Sequence, residues 1–269
     1  MKPDETPHYW DSISRSFTQG IQYNLWRSHS DHVNISLLDE WLAGRHFVNI
    51  LKTDLFDEAV SPGLHPVLLS YGTTIHGVDV AADAATEAGK KYPELNAICG
   101  DVRQLPLRAG TFDLVVSNST LDHFQSTAEI ESALRELFSS LKTGGELIVS
   151  LDNLQNPLIS LRSILPYRLL NKLGLVPYFV GKSFGKRGLK NALEAAGFEV
   201  LDTRSIMHCP RVFAVAIAGF LQKHASIKTQ MRFLAILSWF ECLDSLPSKY
   251  FTGYFIAMHA IKPEEHSKS

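Results

Sequence analysis

Gly100-Asp101-Val102-Arg103-Gln104-Leu105-Pro106-Leu107 and, after four intervening residues, Phe112-Asp113-Leu114-Val115-Val116-Ser117-Asn118 form the stretch on which the reading of the fold turns. The second part is a short apolar run that ends in polar residues, the pattern of a strand buried on both faces. The first part closes another strand, Asn96–Gly100, with a glycine and an acid. Upstream, Phe47–Leu51 and Thr74–Asp79 read as strands. Phe56–Tyr71 lies between them as helix and loop, broken at Pro62-Gly63. The alanine-rich Ala81–Lys91 reads as a helix. Downstream, Thr127–Leu141 is an amphipathic helix stopped at Gly144-Gly145, and Glu146–Ser150 is a fifth strand. Strand and helix thus alternate from residue 47 to 150, which predicts an α/β fold with a doubly wound, mostly parallel sheet.

The flanks differ from this centre. Residues 1–45 read as an N-terminal helical cap rich in aromatic side chains, and residues 46–153 as the ligand-binding core. Residues 154–190, interrupted by Pro157, Pro166 and Pro177, read as a lid with short helices. Residues 191–269 complete the sheet, with helices at Pro210–His224 and Met231–Leu243. A final strand, Tyr254–Ile261, is expected to run antiparallel at the sheet edge, ahead of a polar, frayed tail.

Composition removes several classes of function. A net charge of −2 argues against a dedicated nucleic-acid binder, whose surface would be basic. One local basic stretch holds Lys182, Lys186, Arg187 and Lys190. Cys99, Cys209 and Cys242 are scattered without a C-x-x-C pair, so neither a metal site nor a disulfide framework is indicated. The polar N-terminus reads as no secretory signal, and a cytoplasmic location is expected. The longest apolar run near the C-terminus, Val212–Leu221, falls short of the ~20 residues a membrane span needs.

In an open parallel sheet, ligands bind beyond the carboxyl ends of the strands, where strand order reverses. Asp79 ends the second strand, followed by Val80, and can accept hydrogen bonds from a ribose diol; an acid there can equally cap the next helix. Asp101 ends the third. The combination G-D-x-x-x-L-P-[FL], a short gap, then F-D-x-V resembles the core of class I S-adenosylmethionine-dependent methyltransferases, which have a Rossmann-like fold. The resemblance implies that Asp101 takes the adenine amino group and that Val102 packs near the ring. Ser117-Asn118-Ser119 is similar to the segment that lines cofactor and substrate there. Leu121-Asp122-His123-Phe124 resembles the family's L-x-H. Leu141-Lys142-Thr143-Gly144-Gly145-Glu146-Leu147 is similar to its L-K-P-G-G-x-L turn, and Ala196-Gly197-Phe198-Glu199-Val200 to its late A-G-F-x-V element. The likeness covers roughly residues 47 to 200.

One loop departs from that pattern. Family members carry D-x-G-x-G after the first strand, whereas this chain reads Leu51-Lys52-Thr53-Asp54-Leu55-Phe56-Asp57-Glu58. No glycine remains, and Lys52 stands where the acid is usual. Charge complementarity gives the expectation that Lys52 neutralises the cofactor's carboxylate, while Asp54 or Glu58 accepts from its ammonium, with Thr53 beside them.

Methyl transfer to a small acceptor, with S-adenosylhomocysteine as product, is mainly a matter of alignment. A base is needed only for a protonated acceptor. His123 is then the first candidate, with Asp122 and Asp152 behind it. Tyr23, Trp26 and Arg27 are placed to close the cofactor site from the N-terminal side. The apolar segment 154 to 253 suits a greasy or aromatic acceptor, and serves equally as a small second core or a homodimer interface. Three other readings compete. A nicotinamide oxidoreductase would need G-x-G-x-x-G, which is missing. A nucleic-acid methylating enzyme would carry an asparagine-proline-proline-tyrosine type motif where Ser117-Asn118-Ser119-Thr120 stands. A non-catalytic binding or scaffold subunit is favoured by the glycine-free loop and opposed by the retained Asp79 and Asp101.

Overall fold

The computed structural model describes residues 7–18, 24–173, 176 and 178–264. Two helices open the chain, α1 (Pro7–Thr18) and α2 (Asn24–Leu42). They are followed by β1 (Phe47–Thr53), α3 (Phe56–Val60), α4 (His65–Tyr71), β2 (Gly72–Asp79), α5 (Ala82–Lys91), β3 (Asn96–Cys99) and β4 (Phe112–Asn118). A 3-10 turn at Leu121–His123 leads to α6 (Thr127–Ser140) and β5 (Leu141–Asp152). Then come α7 (Pro157–Ile164), α8 (Tyr167–Lys172), α9 (Lys186–Ala195), β6 (Glu199–Ile206), α10 (Arg211–His224) and α11 (Ile227–Trp239). A second 3-10 turn (Phe240–Ser245), α12 (Lys249–Thr252) and β7 (Phe255–Ile261) finish the described chain. Tyr23 and the tail from residue 265 lie outside it.

The seven strands form one sheet in the order β3-β2-β1-β4-β5-β7-β6, with β1 to β5 parallel. β7 is the antiparallel strand, as expected, and lies one place in from the edge, between β5 and β6. Strand order reverses between β1 and β4, which opens a crevice at their carboxyl ends. The register is level there: Thr53 pairs with Val78 on one side and Ser117 on the other, and Asn118 pairs with Ser150. Asp54, Asp79 and Asn118 are therefore delivered to the same rim.

Alternation along the strands divides the core by face. Leu51, Val115, Leu147 and Val149 pack beneath α6 and α9; Ile50, Leu114, Val116 and Ile148 pack beneath α2, α4 and α5. α6 starts in a capping box: Ser126 accepts from the Glu129 amide while Glu129 accepts from the Ser126 amide. A third cluster, Trp26, Val33, Met207, Ala214, Leu237 and Phe255, locks α2 to α10 and α11 against the β6–β7 side. The expected helix at Met231–Leu243 begins earlier, because Ser226 caps it through the Thr229 amide. The glycine turn after α6 already belongs to β5, since Leu141 pairs with Phe112.

Gly77 on β2 has a specific task. A Cβ there would lie 2.4 Å from a methyl carbon of Leu55, the fully buried side chain of the loop after β1. Gly77→Ala is expected to destabilise the fold by ~1–3 kcal/mol through overpacking. Combining it with Leu55→Ala should recover part of that loss in urea unfolding; additive losses would show that the two positions do not compete for one space.

Candidate active site

A single cavity of about 1700 Å³ runs along the carboxyl ends of the strands. It is larger than a pocket for one small ligand. One end is lined by Asp79, Val80, Asp101, Val102 and Asn118; the other reaches Asp152, Tyr178, Arg211 and Tyr254.

Asp79 holds the first end together. Its Oδ2 accepts from the Leu55 amide and its Oδ1 from the Ala81 amide, each at 2.7 Å. It thus fastens the β1 loop and the start of α5 at once, with one lone pair per oxygen left over. Burial, then the neighbouring Asp54 charge, pushes its carboxyl up to about 7, against the pull of the two amides. Asp101 is more open. Burial would raise its carboxyl, but Arg103, donating at 2.7–3.1 Å, outweighs that and holds it below the usual range. Arg103 also reaches Glu129 at 2.6 Å.

The glycine-free loop keeps its shape by other means. Asp54 stands where the first family glycine would be and takes φ +67°, a left-handed conformation that aspartate tolerates better than most residues. Its Oδ1 accepts from the Phe56 amide at 2.8 Å, closing a short turn. Behind it, Lys52 Nζ sits 2.8 Å from Glu58 Oε2 and donates to the Asp54 carbonyl. Glu58 Oε1 accepts from the Leu64 amide at 2.8 Å. Burial works against the Lys52 charge, but Glu58 and Asp54 more than offset it and hold the ammonium above its usual range.

Lys52 and Glu58, expected to meet the cofactor's amino-acid end, face away from the cavity. They are 5% and 0% exposed and lie behind the cavity wall, spent on each other. Asp54 does line the cavity, together with Asp31, Asp57 and Arg27, while Thr53 lines it with its hydroxyl bonded to Ser117 and Thr120. Arg27 pairs with Asp57 and lies 5.0 Å over the Phe56 ring. Burial, then Asp57 and Glu58, pushes Asp31 up to about 7. The corner is therefore acidic, with one arginine in it.

At the end of β4, Asn118 donates to Asn34 Oδ1 at 2.8 Å; its own Oδ1 is buried and has no partner among the described residues. Ser119 takes φ +49° and donates to Asp122. Asp122, the second candidate for a base, is fully buried and absent from the cavity wall. Its carboxylate also accepts from the Asp152 amide at 2.9 Å, so it brackets the ends of β4 and β5. His123 does line the cavity. Its Nδ1 lies 3.2 Å from the Phe179 carbonyl, which makes Nδ1 the protonated nitrogen and leaves the Nε2 lone pair without a partner among the described residues. Trp10 and Tyr178 pack on the ring at 4.9 and 5.6 Å. Tyr9 accepts from the Phe179 amide and Arg15 pairs with Asp83, so α1 is tied across the cavity.

The far end holds groups that the sequence does not reveal. Arg162 pairs with Asp152 and donates to the Tyr254 hydroxyl at 2.8 Å. Arg211 donates to Tyr178 and lies 4.6 Å over the Tyr254 ring. Both arginines sit in apolar helical runs, and a lone cation in such a run was the one available signal.

Residues 56–149 match the family described as a methyltransferase domain. A Mycolicibacterium smegmatis protein described as a probable S-adenosylmethionine-dependent methyltransferase is 26% identical over 132 residues. Those residues are 49% of this chain and 46% of that protein, so the match spans about half the length of the curated relative. Among solved structures, a chain of the complex between the Haloferax volcanii Trm112 methyltransferase activator and its methyltransferase gives a TM-score of 0.62 at 13% identity, covering 98% of this chain and 99% of that one. The [4+2]-cyclase SpnF gives 0.57 at 18%, covering 94% and 96%. Haemonchus contortus phosphoethanolamine N-methyltransferase 2, with phosphomonomethylethanolamine and S-adenosylhomocysteine, gives 0.53 at 14%, covering 86% and 52%. At these identities the structures share the fold.

Lys52→Met would strand the Glu58 charge in the interior and is expected to cost about 3–5 kcal/mol in urea unfolding. Lys52→Met with Glu58→Gln removes both charges and should regain most of it. A loss of under ~1 kcal/mol for the single variant would show that the pair does not hold the loop.

Proposed function

We propose that this chain, whose residues 56–149 match the family described as a methyltransferase domain, moves the methyl group of S-adenosylmethionine to a small acceptor with an apolar body. The observation that carries the reading is the single cavity joining the strand-end acids to a second, largely apolar compartment. In this reading the helices of residues 1–45 cap the cofactor, residues 46–153 hold it, and 154–190 with 191–269 wall the acceptor.

The residues present fit the cofactor. Asp79 has spare lone pairs for the ribose diol, and Asp101 with Val102 takes the adenine. Asn118 Oδ1, which has no partner among the described residues, is an acceptor suited to the amino-acid ammonium, with Asp54 and Ser119 beside it. Arg27 takes the role that the sequence suggested for Lys52, since it is the cation on that wall. Asp31, Asp54 and Asp57 form an acidic corner that favours a cationic ligand. When bound, the cofactor supplies an activated methyl group on a sulfonium, already a good leaving group. The chain's own work is alignment and exclusion of water. Trp10 and Tyr178 hold the His123 ring, and the Phe179 carbonyl fixes its tautomer, so Nε2 can receive a proton from an acceptor that carries one. Asp122 acts as a positioning residue by bracketing β4 and β5. Arg162, Arg211 and Tyr254 orient the polar part of the acceptor.

Calorimetric titration with S-adenosylmethionine tests the reading. Asp79→Ala and Asp101→Ala are each expected to weaken binding at least about tenfold. A folded parent that binds neither S-adenosylmethionine nor S-adenosylhomocysteine would favour a scaffold subunit. The sign of the pH dependence follows from Asp79. Its carboxyl, held up to about 7, must shed its proton to serve best as a double acceptor. Affinity should rise between about pH 6 and 8 with proton release, then level off. Asp79→Asn should flatten that slope; an unchanged slope would assign the proton to another group.

A further inference from the structure

The cavity opens through a surface unlike the rest of the molecule. Residues 153–193 contain seven lysines and arginines, residues 203–240 contain five, and neither stretch has a single aspartate or glutamate. Those twelve are drawn from 26 in a chain whose 28 acids all lie elsewhere; Arg162 and Arg211 are spent inside the cavity and Arg204 on Glu40, Asp202 and Asp244, which leaves nine. α7, α8, α10 and α11 fall within these stretches, so none of the four has an acidic residue.

The same elements carry the exposed apolar side chains. Of nineteen strongly exposed large hydrophobic residues among those described, sixteen are on α7, α8, α10, α11, α12 and the turns beside them. Ile164, Phe213, Ile227 and Trp239 are 75%, 70%, 78% and 71% exposed. Leu158, Leu161, Val212, Phe220 and Phe251 are exposed and also line the cavity, so the greasy rim is its mouth. Lys223 and His224 stand on that rim, and Arg168, Lys172, Lys228 and Arg232 are exposed on the neighbouring helices.

We propose that this face docks on the surface of an anionic lipid bilayer, with the cavity mouth facing the lipid. Exposed apolar side chains beside cations on amphipathic helices are what an interfacial contact requires. No described helix is long and apolar enough to cross a membrane, so the contact is peripheral. Charge selects the bilayer over a second copy of the chain. A two-fold dimer through this face would set cationic stretch against cationic stretch. An anionic leaflet supplies the opposite sign, and long lysine and arginine stems can place their heads among lipid headgroups while the apolar side chains enter between acyl chains. The docking surface stands apart from the chemistry in the cavity. Its corollary, that the acceptor is drawn from the bilayer, rests on the transferase reading.

The test is co-sedimentation of the whole chain with vesicles of phosphatidylcholine alone and of phosphatidylcholine mixed equally with phosphatidylglycerol. The protein should bind the mixed vesicles at least about tenfold better, and high salt should weaken the binding. Lys228→Glu with Arg232→Glu, and separately Phe213→Ser with Trp239→Ser, alter only exposed positions. Each pair should weaken binding at least about tenfold while the thermal midpoint holds. Absence of binding to mixed vesicles would overturn the proposal, as would binding that neither pair changes. A dimer in sedimentation velocity that Phe213→Ser with Trp239→Ser dissolves would assign the face to a second copy and overturn it too. Titration with S-adenosylmethionine separates the two readings: vesicle binding without cofactor binding leaves the docking surface standing and removes the corollary.

Discussion

The salt link between Lys52 and Glu58 is formed out of water, where a lone charge would be hard to sustain, and most of the site leans on it. Lys52 closes β1 and reaches back to the Asp54 carbonyl. Glu58 stops the Leu64 amide, and Gly63 leaves room for it, since a Cβ there would lie 2.5 Å from Oε1. With that frame in place, Leu55 drops into the space over Gly77, its amide meets Asp79, and Asp79 in turn holds the Ala81 amide just ahead of α5. One buried pair therefore sets the positions of Asp54 and Asp79, both of which face the cavity.

The two ends of the cavity are built on opposite electrostatic plans. Near β1 and β2, carboxylates outnumber cations, and two of them are pushed up, Asp31 by burial with Asp57 and Glu58, Asp79 by burial with Asp54. Near β5 and β7, two arginines are held charged by Asp152 and by tyrosines, despite burial. A ligand bridging both ends meets a gradient along its length, and that gradient sets which way round it lies.

Much of this arrangement could be read in the sequence, for a local reason. Strand period and strand-end acids are properties of neighbouring residues, so the sheet, Asp79, Asp101, Asn118 and His123 all show in the chain order. The pairing of Lys52 with Glu58 depends on how a loop folds over a strand, and Lys52 reads as a free cation until that fold exists. Asp122 and His123 are adjacent in sequence, yet only one faces the cavity, because the 3-10 turn sends the other inward. Arg162 and Arg211 come from two separate helices that meet at Tyr254 only in the assembled structure. The place of β7 between β5 and β6 is likewise set by sheet closure and not by any feature of its own residues.

Asp54 holds its left-handed conformation without the backbone freedom that a glycine would bring. A glycine at that position, and others after it, would leave the unfolded loop with many more backbone states to give up. This loop has none, so its ordering entropy is largely settled when the protein folds. The ligand then meets a wall that already has its final shape, and little of its binding free energy is diverted into freezing the chain around it.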